Sequence, residues 1–349
     1  MSFVEVLMAW GRMVLAVVAA SVVLAVAGCG AGASGSGSGQ APLTLYNGQH
    51  ESTTKLLVHD FTKATGIKVR VKNGDDGQLA NEILQEGSAS PADVFYTENS
   101  PALMHLSDKG ELASTKPATR DNIPARYDSP RHDWMGVAGR ETVLVYNPDE
   151  ISKSQLPDSL LDLGKSSWHH TVGIQPSRPD FQAIVGGVAA IEGNRKTEQW
   201  LEGLDTHDAE FNHAEGILQA VHRGQIPVGI IYTYDWFRNR AESPTSTAHT
   251  KLYYFGHDNP GALMNVSGVG VLKSSEHKVE ARRLLAFLTG KKGQQALAHS
   301  DDFEYPLNPK VSANSQLKPR GELQRPNLTP GQIGDGTQAV TLLRQAGML

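Results

Sequence analysis

At 349 residues the chain is long enough for two medium domains or one large one. Apolar residues make up 39% and charged residues 20%, an ordinary globular balance, and a net charge of -5 without a long basic run argues against nucleic-acid binding. The single cysteine, Cys29, excludes an intrachain disulfide framework and a cysteine-based zinc site.

Residues 1–28 stand apart from the folding argument. Met13 to Gly28 is an apolar run behind Arg12, followed by small residues, too short for a spanning helix and flanked like a signal peptide. Its end, Val26-Ala27-Gly28-Cys29, resembles a bacterial lipobox, in which the cysteine is lipidated and becomes the mature N-terminus. A plain secretory leader with an incidental cysteine is the competing reading. Residues 29–40 are nearly all Gly, Ser and Ala after Cys29, a flexible tether. The body is therefore expected outside the cytoplasm, lipid-anchored to the cell membrane or periplasmic.

Taken in order, Leu43 to Tyr46 predicts a buried strand, broken by Asn47-Gly48-Gln49-His50. Glu51 to Ala64 predicts a helix with Leu57, Val58 and Phe61 inward. Ile67 to Val71 alternates as a half-exposed strand, and Asp75 or Asp76 caps the next helix, through Leu79 and Ile83 to Gly87. Asp93 to Tyr96 is a third strand, and Ser100-Pro101 opens another helix. This rhythm predicts a parallel sheet covered on both faces.

Trp134 to Val137 and Thr142 to Tyr146 read as two strands joined at Gly139. Ile174 ends a short strand before Pro176-Ser177-Arg178-Pro179-Asp180. Helices follow over Phe181 to about Ile191, around Trp200, and over His213 to Arg223. After a strand leading to Tyr232, Ser267 to Leu272 forms a further strand, Glu276 to Thr289 an amphipathic helix, and Val340 to Leu349 a closing helix. Residues from about 141 to 260 thus make a second α/β set.

Ligands of open α/β sheets bind beyond the carboxyl ends of the strands. The residues there are His50 and Glu51, Thr97 and Glu98, Ser177 and Arg178, and Tyr232 to Asp235. In Val228 to Trp236, strand alternation puts Tyr232 and Tyr234 on one face and Asp235 on the other. If the strand stops at Ile231, all three can converge as oxygen donors for a hard cation. The plainer reading is an aromatic rim on a buried strand.

Several stretches in this order and spacing resemble the bacterial ferric-iron-binding proteins of ABC transporters. They include Leu45 to His50, Phe61 to Val69, Ser90 to Glu98, Gly139-Arg140, Pro260 to Leu263 and Glu304 to Pro309. The resemblance implies an α/β, two-lobed periplasmic-binding-protein fold of class II, with the ligand cleft between lobes joined by hinge strands. Lobe 1 is expected from residues 41–140 plus about 261–315, and lobe 2 from about 141–260 plus 316–349. It implies no enzyme but a monomeric receptor that captures Fe(III) with a synergistic anion and delivers it to an ABC permease. Residue by residue, the family's His falls on His50, its Glu on Glu98 and its first Tyr on Tyr234, ahead of Trp236. Oxygen donors of this kind suit Fe(III), which is small and hard.

The chain departs from the family at two places. Asp235 stands where the second Tyr is expected and Tyr232 where an Asn is, so either can be the remaining donor. Arg178 replaces a Ser of the anion site, and beside Ser177 it implies carbonate or a small organic anion. The alternative cargo on this fold is an organic or phosphonate-like anion, or a ferric chelate. A reading from another class, a secreted metalloenzyme around His213 and Glu215, lacks an obvious third ligand.

Overall fold

A computed structural model describes residues 41–168, 170–204, 210–256 and 258–349. The leader, the tether and the lipobox cysteine Cys29 lie outside the described residues.

Five consecutive buried residues form β1 (Leu43–Asn47). Helix α1 (Glu51–Thr65) follows and stops at Gly66, whose φ of 75° is the left-handed turn that glycine adopts without strain. After β2 (Val69–Asn73), α2 (Asp76–Glu86) opens on Asp75, whose carboxylate accepts from the Gly77 backbone N–H at 3.0 Å. Next come β3 (Val94–Thr97), α3 (Ser100–Lys109), the short α4 (Pro117–Arg120) and β4 (Trp134–Tyr146).

The second half holds β5 (Val172–Gly173), α5 (Pro179–Glu192), α6 (Asn194–Gly203), α7 (Ala214–His222), β6 (Val228–Tyr232), α8 (Thr233–Glu242) and β7 (Lys251–Tyr253). The chain then returns through β8 (Met264–Val271), α9 (Lys278–Thr289), α10 (Lys291–Ala298), β9 (Tyr305–Pro306), α11 (Pro330–Ile333) and α12 (Thr337–Gln345).

The strand order is β2-β1-β3-β8-β4-β6-β5, with β7 and β9 also on β4. β2, β1 and β3 are parallel, as expected. Beyond β3 the expectation of a parallel sheet is corrected, since β8 runs antiparallel to both β3 and β4. β8 arrives on the chain's way back from the second half rather than through a helical crossover, and only a crossover makes neighbours parallel.

β4 also corrects the expected pair of strands joined at Gly139. It is one strand of 13 residues, all buried, with a register shift between Gly136 and Ala138. Its first part pairs with β8 as far as Glu141↔Met264, and its last part pairs with β6 from Thr142↔Tyr232. Gly139 is there for close approach, because a Cβ would sit 2.6 Å from Met264 Sδ.

Separate apolar cores lie on the two parts of the sheet. One gathers Leu43, Leu57, Phe61, Val269, Leu284 and Leu285; the other gathers Leu144, Phe181, Trp200, Ile230, Leu342 and Leu343. The C-terminal helix α12 thus belongs to the core of the second α/β set. Burial of this kind is the main stabilising term, at about 25 cal/mol per Å² of apolar surface. β4 and β8 carry the chain from one core to the other, and the carboxyl ends of β1, β3 and β6 all face the region between them.

Candidate metal centre

β6 ends at Tyr232 and runs straight into α8, so Tyr234 and Asp235 stand on the first turn of a helix. The face argument that separated Tyr234 from Asp235 on a strand is therefore set aside. Asp235 Oδ2 accepts from the Tyr232 backbone N–H at 3.0 Å, which caps the helix and fixes the turn.

His50 precedes α1. Its backbone N–H donates to Gln49 Oε1 at 2.8 Å, and Gln49 Nε2 donates to Glu304 Oε2 at 3.1 Å, so the loop is held from the far end of the sequence. Glu98 follows β3. The backbone N–H groups of Glu98 and Asn99 donate to the Asp76 carboxylate at 3.0 and 2.8 Å. A buried carboxylate on α2 thus sets the strand end that presents Glu98.

These supports bring three predicted side chains together. His50 Nε2 is 3.2 Å from Glu98 Oε1, and the Tyr234 hydroxyl is 3.0 Å from the same oxygen. The His50 and Tyr234 rings lie 4.9 Å apart. They open onto a cavity of about 310 Å³ whose lining also includes Arg178, Asp180, Asp235 and Arg238.

Tyr232 is not part of that lining. Its side chain is 1% exposed and its hydroxyl donates to the Asp180 carbonyl at 3.1 Å, although its ring stacks 6.2 Å from that of Tyr234. Ser177 is exposed and lines a different cavity, with Asp75, Asn99 and His105. Tyr253 packs edge-on against Phe255. His213 and Glu215, at the start of α7, also line the cavity shared by His50 and Tyr234. Among the described residues no three His, Cys, Asp or Glu side chains are grouped to hold a metal by themselves.

Sequence reasoning passed over Arg140 and Asp180. Arg140 is 0% exposed at the middle of β4. Its Nη1 is 2.7 Å from Glu98 Oε1 and 3.6 Å from Asp180 Oδ1, and its Nη2 is 3.4 Å from Glu304 Oε1 and also donates to the Glu98 carbonyl. The guanidinium lies 5.3 Å from the Tyr234 ring centre and 5.7 Å from that of Tyr232. The charged pair Arg140-Glu141 between the apolar runs Val137-Ala138 and Val143-Leu144-Val145 was the available signal.

The charges set the proton affinities. Burial pushes the Glu98 carboxyl up, but Arg140 and His50 outweigh it and hold the group well below the usual carboxylate range. Burial lowers the His50 imidazole, yet Glu98 and Asp302 more than offset this and carry it up to about 9. Burial and then Asp180 push the Asp235 carboxyl up to about 7. Burial, with Asp180 next, also raises the Tyr234 phenol. The cavity therefore holds protons on His50 and Tyr234 at neutral pH. Only a strongly polarising cation displaces a proton from such a phenol.

Two lobes of α/β structure, a cleft at the strand ends and paired crossing strands are the architecture of a periplasmic-type solute-binding protein. The chain matches the bacterial extracellular solute-binding protein family over residues 89–328, and it belongs to that family. The Fe(3+)-binding periplasmic protein of Serratia marcescens is 40% identical over 307 residues, 88% of this chain and 90% of that one. The major ferric iron-binding protein of Neisseria meningitidis is 37% identical over 313 residues, 88% of this chain and 93% of that one. The structure of iron-bound HitA from Pseudomonas aeruginosa superposes with a TM-score of 0.83 at 39% identity, covering 88% of this chain and 100% of that one.

Proposed function

We propose that this protein captures Fe(III) in the interlobe cleft, outside the cytoplasm, and delivers it to an ABC permease. The observation that carries this reading is the meeting of His50 Nε2 and the Tyr234 hydroxyl on one oxygen, Glu98 Oε1, at 3.2 and 3.0 Å. A small cation bound octahedrally at about 2.1 Å places neighbouring donors about 3.0 Å apart, the bond length times √2. One Fe(III) thus replaces the protons that now bridge these atoms. Iron binding by the Serratia, Neisseria and Pseudomonas relatives supports the same cargo.

His50 and Glu98 come from the first α/β set and Tyr234 from the second. Lobe 1 is assigned residues 41–140 plus about 261–315, and lobe 2 the remainder of the folded body. Metal binding then favours the closed arrangement, because only there do all donors reach the ion. Asp235, whose second oxygen is not used in the helix cap, is the better remaining donor than Tyr232, whose hydroxyl is committed to a carbonyl. Arg178, with Arg238 on the same cavity, is assigned to a carbonate or small organic anion beside the iron. A cavity of about 310 Å³ leaves room for such an anion beside a bare ion. Cys29 is assigned as the lipid anchor.

The test is the visible spectrum of the purified protein with ferric citrate and bicarbonate. Wild type and Tyr232→Phe are expected to show a phenolate-to-iron charge-transfer band, and Tyr234→Phe to lack it. A colourless wild type with no bound iron by elemental analysis overturns the ferric reading in favour of an anion receptor.

A further inference from the structure

Tyr234 has a single hydroxyl proton, yet its oxygen has two carboxylate neighbours. Glu98 Oε1 lies 3.0 Å away and Asp180 Oδ2 also lies 3.0 Å away. One proton serves one of these contacts at a time. The other brings two oxygens together without that proton between them, and both carboxylates are ordered in place by Arg140. Two carboxylate oxygens sharing one hydroxyl proton are a costly arrangement until a cation enters it.

Asp180 is held for that role. It sits on the first turn of α5, where Asn99 Nδ2 donates to its Oδ1 at 3.0 Å and Arg140 Nη1 lies 3.6 Å from the same oxygen. Oδ1 is thus engaged from the protein side, and Oδ2 is turned to the Tyr234 hydroxyl and the cavity. The 3.0 Å spacing from Oδ2 to the phenol oxygen equals that from Glu98 Oε1, and it fits the edge of the same octahedron of about 3.0 Å.

Resting on the ferric reading above, we propose that Asp180 is a direct ligand of the captured ion, bound through Oδ2 and adjacent to the Tyr234 oxygen. Apart from Asp235, assigned above as the remaining donor, Glu98, Asp180 and the Tyr234 phenolate already supply three negative donors against three positive charges. The iron is neutralised by the protein itself, and the anion at Arg178 fills a remaining position without being needed for charge balance. On metal entry the Tyr234 hydroxyl proton and the His50 Nε2 proton leave to solvent, the oxygen–hydrogen and nitrogen–hydrogen bonds replaced by oxygen–iron and nitrogen–iron bonds with no change of oxidation state.

The experiment compares wild type, Asp180→Asn and Asp180→Glu, each loaded with ferric citrate, by visible spectrum and by iron retention against added citrate, with and without bicarbonate. Replacing an anionic donor by a neutral amide makes Fe(III) poorer in electrons, so the charge-transfer band of Asp180→Asn is expected to move to longer wavelength. Its retention is expected to fall by more than about a hundredfold, beyond the range for residues that only support a ligand. Wild type is expected to keep its iron without bicarbonate, and Asp180→Asn to require it.

If wild type shows the band and Asp180→Asn shows the same maximum, Asp180 is not a ligand and the ferric reading stands. A drop in retention with no spectral shift has the same meaning, a supporting role only. If wild type itself shows no band, the ferric reading fails and this inference with it. Should Asp180→Asn lose its cooperative melt, Asp180→Glu decides: a carboxylate displaced by one methylene must shift the band if it binds the ion, and an unshifted band overturns the proposal.

Discussion

Replacing Arg140 by Gln tests how much of the cleft is built on one charge. The guanidinium is the only cation the structure places within 4 Å of Glu98, Asp180 and Glu304 together among the described residues, and it is 0% exposed. Removing one partner from a buried ionic cluster costs about 3–5 kcal/mol, because the remaining charges stay buried without compensation. At about 2 °C per kcal/mol for a chain of this size, the metal-free variant should melt about 6–10 °C below wild type at pH 7.5. Part of the loss is recoverable in two ways. Below pH 6 the carboxylates accept protons and the gap should narrow. With saturating Fe(III) the metal supplies the missing positive charge, and the gap should narrow again. Circular-dichroism melts in a chelator, in acid and in ferric citrate give all three numbers. A metal-free Arg140→Gln protein that melts within about 2 °C of wild type refutes the reasoning, since the carboxylates must then be neutral or hydrated without Arg140. Arg140→Lys should recover little, because one ammonium cannot span Glu98, its carbonyl, Asp180 and Glu304.

Two further outcomes follow from the same geometry. In the metal-free protein His50 is raised from 6.5 to about 9, so its stabilising charge is complete below pH 6.5 and is lost as pH climbs to 9. Asp76 and Asp235, each raised from 3.8 to about 7, add losses of the same sign between pH 4 and 7, while the lowered Glu98 acts only in acid. Urea unfolding of the metal-free protein should therefore weaken from pH 6 to pH 9, His50 accounting for on the order of 3 kcal/mol, and a flat profile contradicts the assignment. Asp76→Ala strips the partner from two backbone N–H groups and should cost about 2–4 kcal/mol in the same assay. It should also loosen iron retention about tenfold to a hundredfold by releasing Glu98, with the Tyr234 band still present.

The parts of the fold with a strong local period were legible. β1, α1, β3 and α9 follow the apolar spacing of Leu43 to Tyr46, Leu57 to Phe61, Val94 to Tyr96 and Leu284 to Leu288. The misses have particular causes. Gly139-Arg140 looked like a break because glycine and charge seldom sit inside a buried strand, but here one makes room for Met264 and the other anchors the cleft. Thr233-Tyr234-Asp235-Trp236 has the composition of a strand, and the cap from Asp235 back to Tyr232 turns it into a helix. Helix α10 was not assigned because Gly290 and Gly293 flank and interrupt it, yet it buries Leu297 and Ala298. The resemblance brought out His50, Glu98 and Tyr234. Asp180 was given no role in the stretch before the Phe181 helix, and only the folded chain places it beside Tyr234.

The antiparallel return of β8 also bears on when the chain can fold during synthesis. β3, made early, has its inner edge covered only when Val94 meets Val271, and the Gln49 side chain finds Glu304 across 255 residues. Until nearly the whole chain exists, the first three strands present an open edge, and closing such distant pairs is slow. A nascent chain of this design remains extended for longer than one built from local contacts, which is the form that a translocation channel accepts. The same wiring that delays the cleft until the end of synthesis also means that the residues of the proposed iron site come together only where the finished chain folds.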